Sequence, residues 1–158
     1  MLSVCIVEDE ESNIKLLTEY LWRFGRENGE AFSITSFRDG LAFLEGYHPD
    51  YDLVLMDIQM PGIDGMETAR RLRKLDENVA IIFITNLVKY AIHGYEVQAL
   101  DYIVKPVVYE SFAARIKKFI DHSRARRKRE VVLASGATIR RVDANDIYYV
   151  IVEGHYLR

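Results

Sequence analysis

Short apolar runs alternate with amphipathic segments five times over residues 1–120. The apolar runs predict strands at Leu2–Val7, Phe32–Phe37, Leu53–Asp57, Val79–Thr85 and Asp101–Val104. Helical spacing and capping residues predict helices over 12–26, 39–46, 64–75 and 88–95, and a last helix from Tyr109 onward. Strands that alternate with helices pair in parallel through right-handed crossovers, so the pattern predicts an α/β fold with a doubly wound, five-stranded parallel sheet.

The first predicted helix carries one continuous apolar face. Ile14, Leu17 and Leu21 lie three or four residues apart, and Trp22 follows Leu21 directly. This is the spacing of a buried helix face, so we expect all four side chains to lie in the core.

Four of the predicted strands deliver polar side chains at their carboxyl ends. Glu8 and Asp9 follow the first strand, Asp57 closes the third, Thr85 ends the fourth and Lys105 follows the fifth. In a doubly wound sheet these ends meet at one edge, where the functional crevice lies. Three carboxylates, a hydroxyl and an ammonium at that edge indicate a site for a cation and a phosphoryl group.

The chemistry of these residue types supports that interpretation. Carboxylate oxygens are the ligands that Mg²⁺ prefers, and a carboxylate such as Asp57 can accept a phosphoryl group. A divalent ion offsets the repulsion between the carboxylates and the incoming phosphate. Lys105 adds a second positive charge, and the Thr85 hydroxyl can donate to a phosphoryl oxygen. Crowded carboxylates are also expected to raise one another's pKa.

The pattern changes after residue 120. Residues 121–130 contain five basic side chains in ten and predict a linker or a helix extension. Short strands are predicted beyond it at Val131–Leu133, Thr138–Val142 and Ile147–Val152. They open an all-β unit that stops at Arg158 without room for its own core, so it looks cut short. We therefore expect three parts, 1–120, 121–130 and 131–158.

Charge divides along the same boundary. The net charge of −3 combines −6 over residues 1–120 with +3 over residues 121–158, which points to two functions in one chain. Cys5 is the only cysteine, so no intrachain disulfide can form. The start of the chain turns acidic too early for a signal peptide, and no apolar run approaches the roughly 20 residues of a membrane span. A cytoplasmic location without membrane contact is expected.

The ordered motifs resemble the receiver domain (CheY-like) of two-component response regulators. The matching segments, in order, are Val7–Glu10, Leu55–Gly65, Ile84–Thr85 and Ala99–Pro106. Order and spacing agree over residues 1–120, about three quarters of the chain. The resemblance implies a (βα)5 fold with the flavodoxin-like strand order 2-1-3-4-5.

The resemblance also implies roles for the residues at the sheet edge. Asp57 would accept a phosphoryl group from a histidine kinase. Asp9 and Asp57 would bind Mg²⁺ directly, together with the Gln59 carbonyl, while Glu8 would act through water. Thr85 and Lys105 are the residues implied to bind the phosphoryl group.

The same family pattern implies a switch and an output surface. Tyr102 matches the aromatic switch position that works with Thr85, and Lys105–Pro106 matches a bond that is cis in the family. Members dimerise through the face formed here by helix 88–95, strand 101–104 and the helix from residue 109. A homodimer through that face is therefore expected.

The tail resembles the start of a LytTR-type DNA-binding domain (LytR/AlgR family). The residues that carry this resemblance are Asp146–Val150 and Glu153–Tyr156. It implies a response regulator that dimerises on phosphorylation and controls transcription through its complete C-terminal domain, bound to DNA.

Two other classes of function were weighed. An interaction module whose receiver only dimerises or docks, with no role at DNA, would lack further strands after Arg158. An enzyme is disfavoured at specific residues: Glu8–Glu11 would repel the phosphate of FMN, and Gln59 stands where aspartyl phosphatases of the haloacid dehalogenase type need an acid. We therefore expect a phospho-acceptor signalling protein and not an enzyme.

Overall fold

The computed structural model describes the backbone of residues 1–87, 96–127, 130–135, 138–143, 152–153 and 156–157, and the side chains of residues 1–87 and 96–126. The strands are β1 (Leu2–Val7), β2 (Phe32–Phe37), β3 (Leu53–Met56), β4 (Ala80–Thr85), β5 (Asp101–Val104), β6 (Glu130–Ser135), β7 (Thr138–Asp143), β8 (Val152–Glu153) and β9 (Tyr156–Leu157). The helices are α1 (Glu11–Asn28), α2 (Gly40–Glu45), α3 (Gly65–Leu75) and α4 (Tyr109–Arg127). The helix predicted over 88–95 lies outside the described residues.

Strands β1 to β5 form one parallel sheet in the order β2-β1-β3-β4-β5, which confirms the predicted fold. The chain builds outward from β1 to β2 and then crosses to β3 on the other side of β1. The strand order therefore reverses between β1 and β3, and their carboxyl ends are where doubly wound sheets place a ligand crevice.

The central strands are buried on both faces. One face packs with α2 and α3 in a cluster that includes Cys5, Val54, Ile81, Phe43 and Leu72. The intervening strand residues are buried as well, and the alternation of side chains along a strand places them on the opposite face. Continuous apolar runs are typical of parallel strands covered on both sides. A polar residue at the end of such a strand is therefore held close to the buried core, as Glu8 and Asp57 are.

Helix α1 follows the predicted pattern except at Trp22. Ile14, Leu17, Leu21 and Phe24 are buried, whereas Trp22 is 55% exposed, so the prediction that Trp22 lies in the core was wrong. Successive residues of an α-helix are separated by about 100°, which turns Trp22 well away from the Leu21 face. Phe24 takes the buried place because it continues the three- and four-residue spacing.

Two glycines and a cap shape the approach to α3. Gly62 has φ +80°, a conformation that favours glycine. The Asp64 side chain caps α3 by accepting the Glu67 N–H at 2.8 Å. A Cβ on Gly65 would lie 2.1 Å from the carbonyl oxygen of Asp57, so only glycine lets the helix start this close to the end of β3.

The chain divides into two compact units, Met1–Phe119 and Ile120–Arg158. In the second unit β6 pairs antiparallel with β7, and β8 pairs antiparallel with β9. The predicted motif Asp146–Val150 lies outside the described residues. The division into 1–120, 121–130 and 131–158 stays a prediction. Among the described residues, no helix combines the length and the apolar character needed to cross a membrane.

Candidate phosphoryl and metal site

Two acids and one lysine meet at the carboxyl edge of the sheet. Glu8 follows β1, Asp57 follows β3 and Lys105 follows β5. The Lys105 Nζ lies 2.8 Å from Glu8 Oε2 and 2.5 Å from Asp57 Oδ2. The side chains of Glu8, Asp57 and Lys105 are 1%, 5% and 11% exposed, so this acid–lysine cluster is buried and its ammonium bridges two carboxylates.

The backbone sets the orientation of Asp57. Its own N–H donates to the Val7 carbonyl at 2.9 Å, which holds it beside the end of β1. The Gln59 N–H donates to Asp57 Oδ1 at 3.0 Å, while Oδ2 accepts from Lys105. One carboxylate oxygen is therefore fixed by backbone, and the other is held by a side chain that can move.

Burial dominates the electrostatics of the cluster. The pKa of Glu8 is raised, and burial is the largest cause. Hydrogen bonds from Lys105 and from the Glu10 N–H act to lower it, and the like charge of Asp57 makes the smallest contribution, which raises it. Burial acts to lower the pKa of Lys105, but its hydrogen bonds to Asp57 and Glu8 outweigh burial and raise it. The like charge of Asp57 thus contributes to the raised pKa of Glu8, but desolvation is the larger effect.

Thr85 and Tyr102 contact the same residue, Leu87. The buried Thr85 Oγ1 accepts the Leu87 N–H at 3.3 Å, and the Tyr102 hydroxyl donates to the Leu87 carbonyl. Burial, followed by the negative charge of Asp57, raises the pKa of Tyr102 to about 12. A change in the hydrogen bond between Thr85 and Leu87 would therefore also affect the hydrogen bond between Tyr102 and Leu87.

Carboxylates suited to a divalent cation lie together at this edge. Glu8, Asp9 and Asp57 each offer a carboxylate oxygen, all within 4.8 Å of one another. Among the described residues this is the only such group of acidic, histidine or cysteine side chains. Oxygen ligands at this separation fit Mg²⁺, which binds one or two carboxylates and keeps several waters. Ligation by the Gln59 carbonyl stays a prediction.

The structure thus brings together Glu8, Asp9, Asp57 and Lys105, and the Lys105–Pro106 bond is cis. Thr85 ends the neighbouring strand β4, where its hydroxyl is bonded to the Leu87 N–H. Sequence reasoning did not identify three backbone groups that orient the site: the N–H groups of Gln59 and Glu10 and the carbonyl of Leu87. Every residue carries such groups, so no side-chain signal marks them. Gly65 was visible in the motif, but its close approach to Asp57 was not.

A family model described as the response regulator receiver domain matches residues 4–117. The chain belongs to this family. The five-stranded parallel sheet in the order 2-1-3-4-5 and the acidic edge are features of a CheY-like receiver, and this chain carries both.

Two similar proteins are sensory transduction proteins named LytT. The one from Oceanobacillus iheyensis is 28% identical over 99% of this chain and 65% of its own length. The one from Bacillus subtilis is 32% identical over 98% of this chain and 67% of its own length. The positive alginate biosynthesis regulatory protein of Pseudomonas aeruginosa is 32% identical over 74% of this chain and 46% of its own length. The chain thus spans between about half and two thirds of these relatives.

A similar solved structure is the response regulator TrrA from Thermotoga maritima in complex with Mg²⁺ and BeF. Its TM-score is 0.62 at 32% identity, over 75% of this chain and 99% of that one. The BeF3-activated DrrB receiver domain gives a TM-score of 0.66 at 25% identity, over 77% of this chain and 98% of that one.

Proposed function

We propose that Asp57 accepts a phosphoryl group from the phosphohistidine of a histidine kinase. One observation supports this most: the Lys105 ammonium lies 2.5 Å from Asp57 Oδ2, at an edge where carboxylate oxygens of Glu8, Asp9 and Asp57 lie within 4.8 Å of one another. In the reaction an Asp57 oxygen attacks phosphorus, the phosphorus–nitrogen bond breaks, and the imidazole leaves with the electron pair and takes up a proton. Asp57 is then an aspartyl phosphate.

Mg²⁺ would be held by Asp9, Asp57 and the Gln59 carbonyl, with Glu8 acting through water. When bound, the ion neutralises the acids and draws the phosphoryl oxygens toward Asp57. Because the Gln59 N–H fixes Oδ1, the Asp57 carboxylate is oriented before the phosphoryl group arrives.

Lys105 and Thr85 would hold the new phosphoryl group. The Lys105 ammonium already donates to Asp57 Oδ2. It would move a short distance and donate to a phosphoryl oxygen in place of the carboxylate oxygen. The Thr85 hydroxyl accepts the Leu87 N–H in this structure. It would give up that bond and donate to a phosphoryl oxygen instead. A phosphoryl charge of about −1.5 to −2 favours both movements.

We infer that these movements shift an equilibrium at the output face. Tyr102 follows Thr85 through Leu87, and the dimer face would combine strand 101–104, the helix predicted over 88–95 and the helix from residue 109. Residues 88–95 lie outside the described part of the chain, and the described contacts that support this inference are those of Thr85 and Tyr102 with Leu87.

The function proposed for the whole protein is transcription control from the cytoplasm. Similarity to LytT proteins over 98–99% of the chain extends past the receiver and favours a LytTR-type domain beginning at residue 131. Dimerisation would bring two such domains together, and two linked weak DNA sites gain affinity through effective concentration. The role is that of a phospho-acceptor; at most the chain catalyses its own phosphorylation and dephosphorylation.

Acetyl phosphate and Mg²⁺ test the acceptor assignment. Intact-protein mass spectrometry should show one added phosphoryl group, which Asp57→Asn abolishes. Asp50→Asn is the matched control, because Asp50 is an acid whose side chain is 85% exposed in a loop, and it should be labelled fully. Full labelling of Asp57→Asn would overturn the assignment.

Sedimentation tests the output. With Mg²⁺ and beryllofluoride the 1–158 chain should shift from monomer toward dimer. A monomer in both states at high micromolar concentration would refute dimerisation through the receiver.

A further inference from the structure

Helix α1 holds the start of α4 through a group of four side chains, Tyr20, Arg23, Glu27 and Tyr109, which we call the Tyr109 clasp. Tyr109, the first residue of α4, is 7% exposed, and its hydroxyl donates to Glu27. The Arg23 guanidinium carbon lies 3.7 Å from the centre of the Tyr109 ring, and Arg23 Nε donates to Glu27 Oε1 at 2.9 Å. Tyr109 is thus held by its ring face and by its hydroxyl at once.

Tyr20 extends the clasp toward the chain just before α4. Its ring meets the Tyr109 ring edge-on, with centroids 5.2 Å apart at 72°, and lies 5.7 Å from the Phe112 ring. Its hydroxyl makes a long hydrogen bond of 3.4 Å to the carbonyl of Val107. The contacts of α1 therefore reach within two residues of Lys105.

The connection between β5 and α4 is held at Lys105, at Val107 and at Tyr109. Among residues 104–108, all of which the structure describes, only the Lys105 side chain lies in the buried acid–lysine cluster, and Val104 and Val108 are 45% and 55% exposed. At one end the Lys105 N–H donates to the Thr85 carbonyl at 3.0 Å. At the other end the first buried side chain is Tyr109. The main chain that carries Lys105 thus depends on the clasp at its far end.

The same helix also follows the acids. Helix α1 begins at Glu11, two residues after Asp9. The helix that starts at the acidic loop therefore also holds the connection that carries the lysine.

We propose that the Tyr109 clasp is a positioning device for Lys105, which keeps its ammonium against Glu8 and Asp57 and, on phosphorylation, against the phosphoryl group. The clasp would act on the phosphoryl site only through Lys105. The second half of this statement rests on the proposed function, whereas the first half does not.

The reactivity of Lys105 toward an acylating reagent tests the first half without any ligand. Acetylation of folded protein at fixed pH, quantified by peptide mass spectrometry, should be several-fold faster at Lys105 in Tyr109→Leu and less elevated in Tyr109→Phe. Arg71→Gln is the matched control, because Arg71–Glu67 on α3 is an exposed i,i+4 ion pair like Arg23–Glu27. It should leave Lys105 reactivity unchanged.

Unchanged Lys105 reactivity in folded Tyr109→Leu overturns the proposal. If that variant does not fold, Tyr109→Phe and Glu27→Gln decide, because each removes one polar contact and keeps the ring. Unchanged reactivity in both of them overturns the proposal equally.

A double-mutant cycle tests the second half. Calorimetry with beryllofluoride at saturating Mg²⁺ should show weaker binding to Tyr109→Leu, and this loss should vanish in the Lys105→Ala background. An equal fold-loss in both backgrounds means that the clasp acts without Lys105 and overturns the proposal. A wild-type chain that binds no beryllofluoride overturns the proposed phosphoryl site instead, and Lys105 reactivity then decides on the clasp alone.

Discussion

The two edges of the sheet satisfy their charged groups in different ways. At the carboxyl edge, Lys105 bridges Glu8 and Asp57 through side-chain contacts. At the amino edge, where α3 leads into β4, Arg73 and Asp76 bind mostly to backbone. Arg73 Nε donates to the Val97 carbonyl at 2.7 Å and Nη1 to the Asp76 carbonyl at 3.2 Å.

Asp76 shows the same preference for backbone partners. Its carboxylate accepts the N–H groups of Asn78 and Val79 at 2.6 and 3.0 Å, as well as the Tyr47 hydroxyl at 2.7 Å. Backbone partners are fixed by the fold, so this cluster serves stability. At the carboxyl edge one oxygen of Glu8 and one of Asp57 are held by the Lys105 side chain, which can rotate away, and that freedom lets a cation or a phosphoryl group take its place.

The largest effect is expected at the carboxyl edge. Lys105→Met leaves two buried carboxylates without their counter-charge, and the free energy of unfolding at pH 7 should fall by about 3 kcal/mol. Millimolar Mg²⁺ should restore part of the loss, because it replaces the missing charge. Urea unfolding with and without Mg²⁺ measures both quantities.

Lys118→Met is the control for that experiment. Lys118 pairs with Asp101 at 2.7 Å, but its side chain is 57% exposed, so its removal should cost well under about 1 kcal/mol. A Lys105→Met protein no less stable than Lys118→Met would contradict the difference between the edges.

A smaller and pH-dependent effect is expected at the amino edge. Burial acts to raise the pKa of Asp76, but hydrogen bonds from Tyr47 and from two backbone N–H groups outweigh it and lower the pKa. The folded state then binds fewer protons, so the stabilisation is present above the unfolded pKa of about 3.9 and is lost as the pH falls through the lower folded value.

Asp76→Asn should accordingly cost about 1–2 kcal/mol at pH 7, and the difference from wild type should shrink below about pH 4. Urea unfolding across that pH range measures it. Mg²⁺ should not change the difference, and an Mg²⁺-dependent loss would remove the distinction between the two edges.

The smallest effect concerns Trp22, which lies with Gly25, Arg26 and Phe32 around a surface cavity of about 340 Å³ at the amino edge. Because its side chain is 55% exposed, Trp22→Ala should cost about 1 kcal/mol rather than the 3–5 kcal/mol of a core tryptophan. Leu21→Ala, at a fully buried neighbour, should cost about 2–5 kcal/mol. Thermal or urea unfolding of both variants measures the two losses of stability. Equal losses would show that Trp22 contributes as much as a core residue.

Much of this fold was predictable from local pattern alone. The hydrophobic pattern predicted the bounds of β1, β2 and β5 to the residue. The central strand β1 is an almost continuous apolar run because it is covered on both faces, whereas the edge strands β2 and β5 are only partly buried. The same runs predicted which polar residues stand at the strand ends. Since parallel strands share one carboxyl edge, Glu8, Asp57, Thr85 and Lys105 were expected together before any distance was known.

The prediction failed at Trp22, where residue type was given more weight than helical position. Phe24 continues the three- and four-residue spacing and is buried against the sheet, whereas Trp22 departs from that spacing and is exposed. Three side chains of the Tyr109 clasp lie on α1, whereas Tyr109 lies 82 positions after Glu27, and no motif links them, so only the fold brings them together.

The sequence by itself determined which residue types stand at the carboxyl edge and therefore which chemistry is available there. The tertiary structure alone decided the contacts: that Lys105 bridges both acids, that the Gln59 N–H orients Asp57, and that Tyr102 and Thr85 converge on Leu87. The physical reason is that side-chain identity is local and written in the chain. Distance, desolvation and backbone hydrogen bonding depend on how remote segments pack.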